Sequence, residues 1–271
     1  MSRLSYQNSG RMESIRKAGN RGKFYPASAG EIRRMIDYWN SLTGDRPKVV
    51  PQATVCPHAG YVYSGYTANS AHRLIPGAKP ERVLVIGPSH HVYIEGMSLG
   101  VFDAYETPFG LVPGDTALTD WLSEKFVFDF SARAHYLEHS TETQFPFLAY
   151  YNPGIKIVEL IYGNVSPAVL SQVISHAKSL PGTAVVISTD LSHYYDQRTA
   201  NRLDKHCIEA VLQKDTAFLA RCEACGKPGL DAVIRVAQEA GWQPLLTDYR
   251  TSGDVTGEFD AVVGYMGAVY I

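Results

Sequence analysis

The chain has 271 residues, a length that suits one large α/β domain and leaves room for two. Hydrophobic residues make up 45% and charged residues 19%, enough apolar material for a sizeable core. The net charge of −2 argues against a partnership dominated by nucleic acid or an acidic membrane surface.

The first residues are polar and basic. Arg3, Arg11, Arg16, Lys17, Arg21 and Lys23 stand against Glu13. Residues 1–21 read as a solvated basic tail rather than an anion-binding arm, and residues 22–271 as a single domain. No signal-type apolar stretch opens the chain, and no apolar run approaches the ~18 residues of a membrane span, so a cytoplasmic location is expected. Cys56, Cys207, Cys222 and Cys225 give no disulfide framework for a chain this long, which fits a reducing compartment.

Ser28 followed by Glu31 has capping-box spacing, and Ile32, Met35, Ile36, Trp39 and Leu42 then share one helical face. A short core strand at 53–56 is cut off by Pro57, and a helix capped by Ser64 should carry Ala68, Ala71 and Leu74. Residues 82–86 are a buried strand ending at Gly87-Pro88, and 97–102 reads as another strand. Asp115 should cap a helix over 116–125. Residues 140–150 have helical spacing around Pro146, which belongs in a first turn or at a kink. Strand 155–162, helix 167–180 and strand 183–188 follow. Then come helices at 198–214, 216–224 and 230–240, and closing strands at 245–249 and 259–271. The fold class is therefore α/β: a central, mostly parallel or mixed sheet with helices on both faces.

Three strands share an ending. The strand before Pro57-His58-Ala59-Gly60-Tyr61, the strand before Gly87-Pro88-Ser89-His90-His91, and the strand before Thr189-Asp190-Leu191-Ser192-His193 each run into a turn that bears a histidine. Ligands of open α/β sheets bind beyond the carboxyl ends of the strands. Neighbouring parallel strands would bring these histidines together. Two histidines and a carboxylate suit a non-haem iron. A further histidine, with an ordinary pKa of ~6.5, suits proton transfer. Asp190, three residues before His193, either orients that imidazole or caps the next turn. Glu138 and Glu142 fall on one helical face with His139 directed elsewhere. They are either a pocket wall or acidic residues favoured by a helix N-terminus.

Taken in order, Gly22-Lys23-Phe24-Tyr25-Pro26, the His58 and His90 turns, Thr107-Pro108-Phe109-Gly110, Glu138-His139-Ser140, the stretch from Ser188 to His193, and Cys225-Gly226 resemble the Memo family from near residue 22 to the C-terminus. The resemblance implies a fold similar to class III extradiol ring-cleaving dioxygenases of the LigB type. It makes His58 and His90 candidate metal ligands, His193 the candidate acid/base and Asp190 its partner. Eukaryotic members of the family place a metal-binding cysteine near the last strands. Here that stretch reads Arg250-Thr251-Ser252-Gly253-Asp254-Val255, leaving Asp254 as the nearest candidate third ligand, unless Gly253-Asp254 is a hairpin turn. Loss of the thiolate should weaken Cu(I) binding more than iron binding and leaves a metal-free protein open.

The expected function is a metal-dependent oxidase or dioxygenase-like enzyme using iron or copper. The alternative is a binding module for phosphotyrosine-type peptides or another anionic or aromatic ligand. A metal-independent hydrolase or lyase using Asp190 and His193 ranks last. The resemblance also implies AMMECR1-like and radical-SAM proteins as neighbours in a pathway, with an unidentified small molecule or peptide as ligand. Cys222-Glu223-Ala224-Cys225 lacks the second pair a zinc site needs and the strand-to-helix context of a redox dithiol, and reads as structural or incidental, with only Cys225 in the family pattern. Tyr61, Tyr63, Tyr66, Tyr194 and Tyr195 flank the histidine turns, either as packing or as the walls of an aromatic-friendly pocket.

Overall fold

The computed structural model of the chain describes residues 14–271. In chain order the elements are β1 (Ile15–Arg16), α1 (Ala29–Leu42), β2 (Ala53–Cys56), α2 (Tyr61–His72), β3 (Arg82–Pro88), β4 (Met97–Leu99), β5 (Ala104–Thr107) and β6 (Gly110–Pro113). They continue with α3 (Thr116–Ser123), α4 (Ala132–Leu137), α5 (His139–Glu142), α6 (Phe145–Tyr151), β7 (Lys156–Tyr162), α7 (Pro167–Ser179), β8 (Thr183–Ser188) and β9 (His193–Tyr195). The last are α8 (Gln197–Gln213), α9 (Lys227–Ala240), β10 (Pro244–Thr251), α10 (Gly253–Thr256) and β11 (Val262–Tyr270).

The main sheet runs in the order β10-β11-β2-β8-β3-β7-β4, with β9 paired to β11. Its centre, β2-β8-β3-β7, is parallel, and its flanks β11, β10 and β4 are antiparallel. The central strands are buried on both faces, which is why their sequences are unbroken apolar runs. Leu84, Ile86, Val185 and Ile187 face Leu118 of α3, Leu170 of α7, Val211 of α8 and Val233 of α9. Their neighbours Val83, Val85, Ala184 and Val186 face Phe145 and Leu148 of α6 and Tyr105 of β5. Helices thus cover both faces of a mixed sheet, and each fully buried aliphatic side chain contributes roughly 1.5–3 kcal/mol. Among the described residues no helix is long and apolar enough to cross a membrane.

Several local expectations change. Ser28 begins α1 without a side-chain cap, whereas Asp115 caps α3 by accepting from the Leu118 N–H. Residues 140–150 are two helices rather than one. Pro146 lies in the first turn of α6, where its missing N–H leaves no gap in the ladder. The solvated tail does not extend to residue 21: β1 pairs in parallel with β5, and Arg16 is buried among carboxylates. Arg3 and Arg11 lie outside the described residues. The cysteines are not all unpaired either. Cys207 of α8 and Cys222 form a disulfide, because the chain turns back through a 3-10 helix at Thr216–Ala220 and lays the Cys222 loop against α8.

Candidate metal centre

The parallel centre of the sheet fixes the site. β8 lies between β2 and β3, with Cys56 beside Ser188 and Ile86 beside Ile187, so the three strands end along one edge. His58 follows β2 by two residues, and His90 follows β3 by two. A third imidazole comes from α5, where His139 is the first residue. The Ser140 hydroxyl donates to the Pro88 carbonyl at 2.9 Å and pins α5 over the end of β3. Gly87 permits that approach, since a Cβ there would sit 2.5 Å from Ser140 Oγ. Ring centroids are 5.1 Å apart for His58–His90, 5.4 Å for His58–His139 and 4.6 Å for His90–His139. One nitrogen of each ring lies within 4.8 Å of the other two, a spacing that could hold a metal ion.

Hydrogen bonds fix which nitrogens are free. The single proton of Ser188 Oγ goes to the Ser140 carbonyl at 2.5 Å, so Ser188 Oγ must accept from His58 Nδ1–H at 2.9 Å. Gln144 Nε2 also donates to Ser188 Oγ, at 3.0 Å, while Gln144 Oε1 faces His72 Nε2 at 2.7 Å. A carboxylate only accepts, so His90 Nδ1–H donates to Glu138 Oε1 at 2.8 Å. Both imidazoles therefore keep Nδ1 occupied by partners behind the ring and leave Nε2 as the nitrogen a metal would use.

Protonation states agree with that assignment. Burial, with His90 close by, pushes the His58 pKa well below the ordinary histidine value. Burial and the neighbouring His58 push His139 down to about 3. Glu138 would be raised by burial, but His90 and the His90 and Ser140 N–H groups outweigh this and hold it at about 2. At neutral pH the His58 and His139 imidazoles are thus neutral and the Glu138 carboxylate beside them is ionised.

Beside this cluster opens a cavity of about 540 Å³, lined by His139, Asp190, His193, Phe24, Tyr63, Tyr194 and Tyr265 among others. Phe24 stacks on the His139 ring at 4.4 Å. His193 is half-buried at the start of β9. Asp190 is buried and its pKa is raised by that burial, against the pull of the His58 N–H, which it accepts at 2.7 Å, and of nearby imidazoles. Cys225 Sγ lies 3.3 Å from His58 Nε2, and burial together with the Asp190 charge pushes this thiol up to about 12, so it is protonated and donates.

Residues 16–269 match the family model of the Memo-like proteins. The chain belongs to the Memo family. Among curated relatives, a MEMO1 family protein of Archaeoglobus fulgidus is 33% identical, covering 92% of this chain and 97% of the relative. One from Aquifex aeolicus is 32% identical over 95% and 99%. One from Thermotoga maritima is 32% identical over 94% and 99%.

Within this Memo-family fold, His58 and His90 come together as the strand endings suggest, and His193 and Asp190 line the adjoining cavity. Asp254 does not join them. Its carboxylate accepts from the Thr251 N–H at 2.7 Å and the Thr251 hydroxyl at 3.3 Å, closing the turn into α10 rather than facing the histidines. The third imidazole is His139, which the helical reading of residues 138–142 had directed elsewhere. That reading assumed one continuous helix, whereas Glu138 is an N-cap in extended conformation and His139 turns toward the sheet edge. Glu142 points the other way, to Arg16. Cys225 was set aside as incidental. Its membership in the family pattern was the available signal, and Gly226 is the reason it reaches the site: a Cβ there would lie 2.5 Å from Thr189 Cβ. Asp190 serves the His58 backbone rather than hydrogen-bonding to His193.

Proposed function

We propose that this Memo-family chain is a metal-dependent oxidoreductase, oxidase- or dioxygenase-like, with His58, His90 and His139 holding an iron or copper ion. One observation carries the reading: three imidazole nitrogens converge, the His139 ring among them lines a cavity, and the other two rings have their second nitrogen committed as a donor. The donor set fits, since neutral imidazole suits iron and copper. Such an ion would supply redox chemistry and Lewis acidity to a bound molecule. The chain's own residues do the rest. Glu138 and Ser188 keep the two imidazoles oriented and basic. His193 takes up or delivers a proton at the cavity wall. Phe24 and Tyr63 narrow the space from which water reaches the histidines. No lysine or arginine is among the residues that line the cavity, which leaves the rival reading, a phosphotyrosine-binding module, without a cation to meet the phosphate.

The test is metal analysis of purified protein beside the His58→Ala/His90→Ala double variant and a His139→Ala variant. Near-stoichiometric iron or copper in the parent and its loss in the variants is the expected result. Equal metal content in parent and double variant would end the proposal. Zinc alone would end its redox part.

A further inference from the structure

The cavity next to the histidines has a chemical bias of its own. Four aromatic rings line it, Phe24, Tyr63, Tyr194 and Tyr265, together with two carboxylates, Asp190 and Glu258. No ammonium or guanidinium group is in the lining. The three tyrosines are contributed by α2, β9 and β11, so separate parts of the fold deliver them to one place. Burial, the Asp190 carboxylate and the Tyr63 and Tyr194 phenols together raise the Tyr265 pKa, which places those three groups close to Tyr265.

Tyr194 owes its place at the cavity to a bulge in the sheet. Its φ is +64°, a conformation that disfavours a non-glycine residue, and its side chain is 76% exposed at the cavity wall. It is the extra residue of a bulge in which His193 and Tyr195 pair with Val263 and Val262, and that bulge turns its ring out to the cavity wall.

Aromatic faces carry negative potential and attract cations, and carboxylates do so by charge. A phosphate or carboxylate entering the metal-free cavity would meet the Asp190 and Glu258 carboxylates and no lysine or arginine. We propose that the cavity recognises a ligand bearing a cationic amine, with the ammonium group held among Tyr63, Tyr194 and Tyr265 and facing Glu258 and Asp190. This rests on the reading of the cavity as the ligand's entrance to the histidine cluster, and it holds with or without a metal there.

The experiment is calorimetric titration with three probes that share a phenyl ring: 2-phenylethylamine, 2-phenylethanol and phenylacetate. Each is run on chelator-treated and on metal-loaded protein. The amine should bind about tenfold more tightly than the alcohol, with the acid weakest. Glu258→Gln, an exposed change outside the histidine cluster, should shrink the amine-over-alcohol preference about threefold without altering metal content. Equal affinity for amine and alcohol, tighter binding of the acid, or no amine binding by ~10 mM in either form overturns the proposal. Failure to take up metal in the same preparations counts against the metal reading alone, because the amine preference is read separately in the chelator-treated protein.

Discussion

Two groups of ionisable residues lie on opposite sides of the one-turn helix α5, and they differ in how completely their partners are met. Below α5, Arg16 forms ion pairs with Glu142 and Glu159 and donates to the Glu138 carbonyl. Glu142 also accepts from Tyr25 and Asn20, and Glu159 from His135 and Thr141. Every carboxylate oxygen there has a donor, Arg16 Nε alone of the guanidinium nitrogens lacks a partner, and the residues are buried. Above α5, His58 and His90 each have Nδ1 engaged behind the ring, while His58 Nε2 meets only the weak thiol donor of Cys225 and His90 Nε2 faces the other two imidazoles. Buried acceptors that are all met specify structure, while imidazole nitrogens met weakly or not at all are free to bind.

That contrast divides the consequences of mutation. Arg16→Met should do the most damage, because it strands two buried carboxylates. A loss of about 3–5 kcal/mol in urea-denaturation stability is expected. A change below about 1 kcal/mol would mean that the lower network is not the structural one.

His72 lies behind the cluster, linked to His58 through Gln144 and Ser188, and tests the same division by pH. Burial holds His72 down to about 4, despite its bond to Gln144. The unfolded chain has it near ~6.5. Between those values only the unfolded state takes the proton. Stability is therefore fully present above about pH 6.5 and is lost as the pH falls toward 4, by about 3 kcal/mol for this group. A His72→Phe variant should lose that much less than the parent between pH 7 and 4 in the same denaturation series. Identical slopes would show that His72 is not held neutral in the folded protein.

Glu138→Gln reaches the binding side. The amide can still accept from His90 Nδ1–H, but as a neutral, weaker partner, so metal affinity should fall about 10–100-fold in a competitive chelator titration. Stability should move by no more than about 1–3 kcal/mol. Unchanged affinity would remove Glu138 from the support of the site.

How much of this could be read in the chain depends on the range over which each feature is decided. The apolar strand runs and the turn residues after them are local, so the central strands and the convergence of His58 and His90 are legible once the strands are taken as parallel neighbours. His139 is not, because its direction follows from Glu138 starting α5 in extended conformation and from Ser140 docking on Pro88, a contact between residues 52 apart. Arg16 looked like one more basic residue of a polar N-terminus, and only partners at positions 142 and 159 make it a core residue. Asp254 had the right chemistry and the wrong orientation, set by a bond three residues back to Thr251. The Cys207–Cys222 pairing likewise depends on how α8 and the following turn fold back.

The smallest expected effect compares two strained backbones. Lys214 has φ +53° and ends α8, where a left-handed residue lets its N–H reach the Ala210 and Val211 carbonyls. Tyr194 has φ +64° at the cavity, with no helix to end. Glycine at either position relieves the steric cost of a left-handed backbone, roughly 1–2 kcal/mol, but gives part of it back by loosening the unfolded chain. Lys214→Gly and Tyr194→Gly should each stabilise the protein by about 0.5 kcal/mol or leave it unchanged. They should part company on binding: Lys214→Gly should leave the affinity for 2-phenylethylamine as it was, and Tyr194→Gly should weaken it several-fold as one aromatic face is lost. Should Tyr194→Gly destabilise the fold and leave amine binding intact, its backbone would belong with Lys214, as a feature of the architecture.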